Sequence, residues 1–139
     1  MASVLLDSGV MVALFATHEP HSARYLALME QASTEHWHIS TTWPCVVEAS
    51  HFLRAKNRYQ LLRWIAEGAA SVFPFPQEAL VDFVQLMERY TEEPRTEMDL
   101  ADASLLWLAQ ETGVTRILTI DNRDFSRYRL DDGRGFEIL

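Results

Sequence analysis

Short, wholly apolar runs alternate along this chain with longer stretches whose apolar residues recur every three or four positions. The first run, residues 2–6, ends abruptly at Asp7, the pattern of a strand buried on both faces of a parallel sheet. Residues 10–15 and 25–29 predict helices, divided by His18-Glu19-Pro20, and the alternation over 36–41 predicts a second strand. Thr42 offers an N-cap, with Pro44 in the first turn, for a helix reaching about Leu53. A further helix fits 60–67, closed by Gly68, and 71–75 reads as a third strand beside prolines. Residues 77–90 carry Leu80, Phe83, Val84 and Met87 on one helical stripe. A helix over 99–112 closes on Gly113, followed by a strand at 116–120 and a last one at 136–139. Strands alternating with helices predict a single α/β domain over residues 1–139, with a mainly parallel sheet of about five strands flanked by helices. The segment 92–97 is the expected mobile loop.

The length of 139 residues suits one domain with a core of its own. No apolar run approaches the ~18–20 residues needed to span a bilayer, and the start lacks the basic region and cleavage site of a signal peptide. The expected location is therefore the cytoplasm, with no membrane partner. A single cysteine, Cys45, excludes an internal disulfide framework and a thiolate zinc cluster. The net charge of −8 argues against nucleic acid, but the distribution of charge weakens that argument. Arg54, Lys56, Arg58 and Arg63 form one basic run, and Arg116, Arg123, Arg127, Arg129 and Arg134 cluster near the C-terminus. Eleven of the twelve basic residues are arginine, which suits forked contacts to phosphate as well as to carboxylate.

The candidate chemistry lies in acids placed beside apolar segments. Asp7 ends the first strand, Glu48 follows Cys45-Val46-Val47, Asp99 and Asp102 open the late helix, and Asp121 follows the 116–120 strand. Ligands of open α/β sheets bind outside the carboxyl ends of the strands, where Asp7 and Asp121 fall. Asp99 and Asp102, three apart, share one helix face. Carboxylates gathered in one cleft repel, so a cation is the natural way to hold them, and an oxygen-only donor set favours Mg²⁺ or Mn²⁺. Each acid alone has a simpler explanation. Asp99 and Asp102 cap a helix, Glu48 fits a solvated face, and Asp121-Asn122 favours a turn. Asp7 is hardest to explain away.

Taken in order, Leu5-Leu6-Asp7, Val46-Val47-Glu48, Met98-Asp99-Leu100-Ala101-Asp102-Ala103-Ser104 and Thr119-Ile120-Asp121-Asn122-Arg123-Asp124-Phe125 resemble the PIN-domain family, over essentially the whole chain. The resemblance is to its VapC-type toxins, and it implies an Mg²⁺- or Mn²⁺-dependent endoribonuclease. It further implies an acidic quartet of Asp7, Glu48, Asp102 and Asp121, with Asp99 as a further ligand or supporting acid and Asp124 as a weaker candidate. An RNA substrate, a cognate VapB-like antitoxin and a homodimer follow from the same resemblance. The family often places a hydroxyl two residues after the first acid; here it is one residue after, at Ser8, which is kept as a supporting residue.

Other residues receive plainer expectations. His36 and His38 share one side of a strand, as a surface or core pair. His51 is exposed or hydrogen-bonded, Thr119 packs within its strand, and Cys45 is a small buried hydrophobe. Trp37, Trp43, Trp64 and Trp107 belong to the core or an interface, and some of the surface of the apolar stripes at 10–15, 60–65 and 80–87 is expected to be an interface. An aspartyl-phosphate phosphotransferase would want Asp-x-Asp after the first strand and a late lysine, but position 9 is Gly and Lys56 is the sole lysine. A PIN-like module that binds RNA or protein without cleaving is the alternative from another class.

Overall fold

The computed structural model describes residues 2–139. Among them, five strands are β1 (Ser3–Leu6), β2 (His38–Thr41), β3 (Ser71–Val72), β4 (Arg116–Leu118) and β5 (Glu137–Ile138). Seven helices are α1 (Ser8–Phe15), α2 (Ser22–Thr34), α3 (Trp43–Phe52), α4 (Ala55–Ala66), α5 (Ala79–Tyr90), α6 (Leu100–Thr112) and α7 (Asn122–Phe125). The strands form one all-parallel sheet in the order β3-β2-β1-β4-β5. The chain lays down β2 and β3 on one side of β1, then returns to lay down β4 and β5 on the other. The order therefore reverses between β1 and β4, which makes a crevice at their carboxyl ends. Leu5 pairs with Ile117 and Leu6 with Leu118, and Asp7 N–H extends the ladder by donating to the Leu118 carbonyl at 3.0 Å.

Burial explains why these segments settle as they do. Val4, Leu5 and Leu6 are fully buried, as a central parallel strand covered on both faces requires. In α6, Ala101 and every residue from 103 to 109 are buried, so this helix is apolar all round and runs through the middle of the protein. Its first turn thereby carries Asp102 inward between buried Ala101 and Ala103. Asp99 caps α6 by accepting from Asp102 N–H at 2.8 Å, and Gly113 ends it in the left-handed conformation (φ 75°), where a side chain would be strained. Phe75, Phe83 and Trp107 meet edge to face, with centroids 4.9–6.0 Å apart, and join α5 to α6.

Several expectations are corrected. Helix α4 begins at Ala55, five residues before the predicted start, and β3 keeps only Ser71–Val72, because Pro74 and Pro76 have no N–H to continue a ladder. His36 stands in a left-handed turn (φ 56°) outside β2, so it shares no strand face with His38. The buried side of α5 is Ala79, Phe83 and Leu86, while Leu80 and Val84 remain exposed. In the stripe at 10–15, Val10, Met11 and Ala13 are core, while Val12, Leu14 and Phe15 are only partly buried. The segment 92–97 closes into a turn in which Glu92 and Thr96 exchange backbone hydrogen bonds of 2.9 and 3.1 Å. Arg58 is not free for a ligand, since its guanidinium donates to the Ser50 and Leu53 carbonyls at the end of α3.

Candidate active site

Three helix starts and one helix middle meet at the crevice. Asp7 is the N-cap of α1, Asp99 of α6 and Asp121 of α7; their side chains accept from Ser8, Asp102 and Asp124 N–H at 2.7, 2.8 and 3.0 Å. Each acid thus does fulfil the simple capping role open to it. Capping does not explain why all three point into one place. Asp7, Glu48, Asp99, Asp102, Asp121 and Asp124 line a single cavity of about 310 Å³, together with Ser8, Gly9, Glu97 and Ile120. Glu48 reaches it from α3, whose buried residues Cys45, Val46 and Ala49 fix the helix against the core.

Electrostatics follow from this crowding. Burial, above all, pushes the Asp7 carboxyl up to about 6, with smaller contributions from Asp99 and Asp121. Glu48 rises to about 7 through burial and then the charges of Asp99 and Asp7. Asp102 rises to about 8, again mainly by burial and next by Asp7. Asp121 is also raised, first by burial. Partial positive charge at the three helix N-termini offsets only part of this repulsion.

Two supporting residues escape sequence reasoning. Thr119 is not plain strand packing: its buried hydroxyl donates to Asp7 Oδ2 at 2.7 Å and accepts from Asp121 N–H at 3.0 Å, tying the β1 acid to the β4 acid. Its position two residues before Asp121, at a strand end, is the available signal. Tyr128 donates to Asp102 Oδ2 at 2.6 Å, and no sequence pattern links residues 26 apart. Thr42 holds the N-cap position of α3, but its side chain makes no capping bond and instead meets the Ser104 hydroxyl at 2.6 Å. Ser8 is buried beside Asp7, which its N–H holds.

The donor set suits a hard divalent ion. One oxygen from each of Asp102, Asp121 and Asp124 lies within 4.8 Å of the others. Oxygens around an octahedral ion at ~2.1 Å stand roughly 3–4 Å apart. The cluster is therefore close to a coordinating spacing, and the raised carboxyls are groups that a cation would stabilise in their charged form. Asp124, the weaker candidate by sequence, belongs to this group of three, although Arg127 also pairs with it at 3.2 Å.

An all-parallel five-stranded sheet with a carboxylate-lined crevice at its switch point defines the class of protein. The chain belongs to the PIN domain family, whose profile matches residues 4–130. Solved structures of similar fold include Mycobacterium tuberculosis VapC20, a Sarcin-Ricin loop cleaving toxin. It aligns with a TM-score of 0.70 at 12% identity, over 87% of this chain and 92% of that one. FitAcB from Neisseria gonorrhoeae aligns at 0.57 and 18% identity, over 88% and 90%. FitAB bound to an IR36 DNA fragment aligns at 0.57 and 19%, over 88% and 87%. These are likenesses of fold. No curated protein matches the sequence significantly.

Proposed function

We propose that this protein is a metal-dependent endoribonuclease of the VapC type, the toxin of a toxin–antitoxin pair. The observation that carries the proposal is the gathering of seven carboxylates around one switch-point cavity, three of them raised to between about 6 and about 8. Membership of a nuclease family and the fold shared with an RNA-cleaving toxin support it. Asp7, Glu48, Asp102 and Asp121 would hold Mg²⁺ or Mn²⁺, with Asp124 beside them and Asp99 at the rim. When bound, the ion supplies charge neutralisation at the phosphate and lowers the pKa of water. Without an ion the half-buried Glu48 carboxyl is raised to about 7, and an ion beside it would lower that and keep it charged as a ligand. Asp7 is held rigidly by Thr119 and Ser8, so its carboxylate needs no reorganisation on binding.

RNA approaches an acidic protein through local positive charge. Arg123 stands on α7 between Asp121 and Asp124 and, among the described residues, forms no ion pair, which leaves it available to a backbone phosphate. The purified chain should cleave a mixed RNA pool with Mn²⁺ or Mg²⁺ and stop when EDTA is added. Cleavage that persists in EDTA would sink the proposal, and specific RNA binding without cleavage would favour the non-cleaving module instead.

The surface offers support for the proposed partners. A carboxylate-lined cavity is also complementary to a guanidinium, so an antitoxin of the VapB type would silence the site with an arginine. Beside that cavity, and sharing Glu48 and Asp99 with it, lies an apolar groove of about 730 Å³ lined by Trp43, Val47, Phe52, Phe75 and Leu100. Val47 and Phe52 are about two-thirds exposed (65% and 67%), far more than isolated folding requires of large apolar side chains. A second copy of the chain would cover this face. The chain should sediment as a dimer at micromolar concentration and Val47→Arg as a monomer with unchanged circular dichroism; a monomeric parent would refute the pairing.

Among the described residues, no helix is long and apolar enough to cross a membrane.

A further inference from the structure

Tyr128 is fully buried although it carries a hydroxyl, and that hydroxyl has one partner, Asp102 Oδ2 at 2.6 Å. The ring is clamped edge to face between Tyr90 and Phe125, with centroids at 4.9 and 5.0 Å, so the hydroxyl has little freedom to move. The backbone ties the residue to the other acids. Tyr128 N–H donates to the Asp124 carbonyl at 3.3 Å, one turn beyond the helix that Asp121 caps. Tyr128 is thus a rigid strut between the acid of α6 and the acid pair of α7, the same three residues whose oxygens come within 4.8 Å.

We propose that Tyr128 is a positioning residue for the metal site: by occupying Asp102 Oδ2 it fixes the carboxylate so that its remaining acceptor capacity faces Asp121 and Asp124. This rests on the nuclease proposal above and adds to it a residue that touches neither substrate nor ion. An ionised carboxylate accepts at both oxygens, so one hydrogen bond still leaves ligating positions free. Without the hydroxyl, Asp102 would rotate about its terminal torsion, which is broad and weakly restrained. Loss of such a supporting hydrogen bond typically weakens metal affinity ~10–100-fold.

The test is Mn²⁺ binding, read by calorimetry or by loss of the free-ion resonance signal, in the parent, Tyr128→Phe and Tyr90→Phe. Both variants lose one hydroxyl from the same aromatic cluster, but the Tyr90 hydroxyl serves the Arg129 backbone, not an acid. Tyr128→Phe should bind ~10–100-fold more weakly, with unchanged far-UV circular dichroism and turnover that recovers at saturating Mn²⁺, while Tyr90→Phe should match the parent. Equal affinity in parent and Tyr128→Phe would overturn the strut, as would equal weakening in both variants, which would mean packing alone. A parent that binds no Mn²⁺ would remove the metal site itself and the strut with it.

Discussion

Asp7→Asn is expected to abolish metal-dependent RNA cleavage and, in the same protein, to raise thermal stability when metal is absent. The two effects have one cause. Asp7 is 5% exposed, and burial holds its carboxyl at about 6 against an ordinary 3.8. At pH 7.5 it is nevertheless ionised, so the fold carries a buried charge it would be better without. A shift of two units corresponds to about 3 kcal/mol. Asparagine removes that charge with almost no change in shape: its oxygen still accepts from Ser8 N–H, whereas its amide nitrogen only donates, so the Thr119 hydroxyl must turn from donor to acceptor. Part of the gain is lost because a neutral acceptor bonds more weakly than a carboxylate, which leaves roughly 1–2 kcal/mol. For a chain of this length that is a rise of several degrees in Tm, on the order of 3–10 °C. Activity moves the other way. A cation contributes several kcal/mol of transition-state stabilisation, and ~1.4 kcal/mol is tenfold in rate, so cleavage should fall by roughly a hundredfold or more. A variant that cleaves like the parent would remove Asp7 from the mechanism. One that melts lower in EDTA would mean that the charged hydrogen bonds outweigh the burial cost.

The acids most legible in the sequence are those attached to a change of pattern. Asp7 and Asp121 stand where apolar strands stop, and strand ends at a switch point are where a parallel sheet opens to ligands. The helix from Asp99 to Gly113 is readable because both of its ends carry chemistry that only ends require. Helix α4 lacks such signs. Arg54 caps it without a side-chain bond, and its one fully buried residue is Leu61, so tertiary contact, including the Arg58 link to α3, sets its start. The stripe on α5 misleads because apolar residues lie on more than one face; burial selects Phe83 and Leu86, and leaves Leu80, Val81 and Val84 outside. Asp124 stands out less in the sequence than in the fold because its nearness to Asp102 depends on how α7 packs, which no local pattern encodes. Thr42 has the residue type of a cap, but the competing Ser104 hydroxyl 62 residues away takes its side chain.

Without metal, stability should fall as pH rises through the neutral range, and saturating Mn²⁺ should abolish or reverse that fall. A carboxyl whose folded pKa exceeds its unfolded value binds its proton more tightly in the folded chain. Its contribution is therefore complete below the unfolded pKa and is lost as pH climbs through the folded one. Asp7, Glu48 and Asp102 start from 3.8, 4.5 and 3.8 and are raised to about 6, about 7 and about 8, so the window runs from about pH 4 to about pH 8. Each proton held only by the folded state contributes a slope of at most ~1.4 kcal/mol per pH unit. The groups repel one another and titrate as a set, so the fall is spread across the window without separate steps. Most soluble domains are instead stabilised by ionised acids, and lose stability in acid. A divalent ion binds the ionised carboxylates, so its affinity grows as protons leave and its binding releases them. The stabilisation it adds, RT ln(1 + [L]/Kd), is largest where the metal-free protein is weakest. Thermal melts from pH 5 to 9 in EDTA and in Mn²⁺ should therefore diverge as pH rises, by on the order of 10 °C at the upper end. Parallel curves would mean that these carboxylates do not share a cation. A metal-free Tm that climbs with pH would mean that burial does not govern their charge.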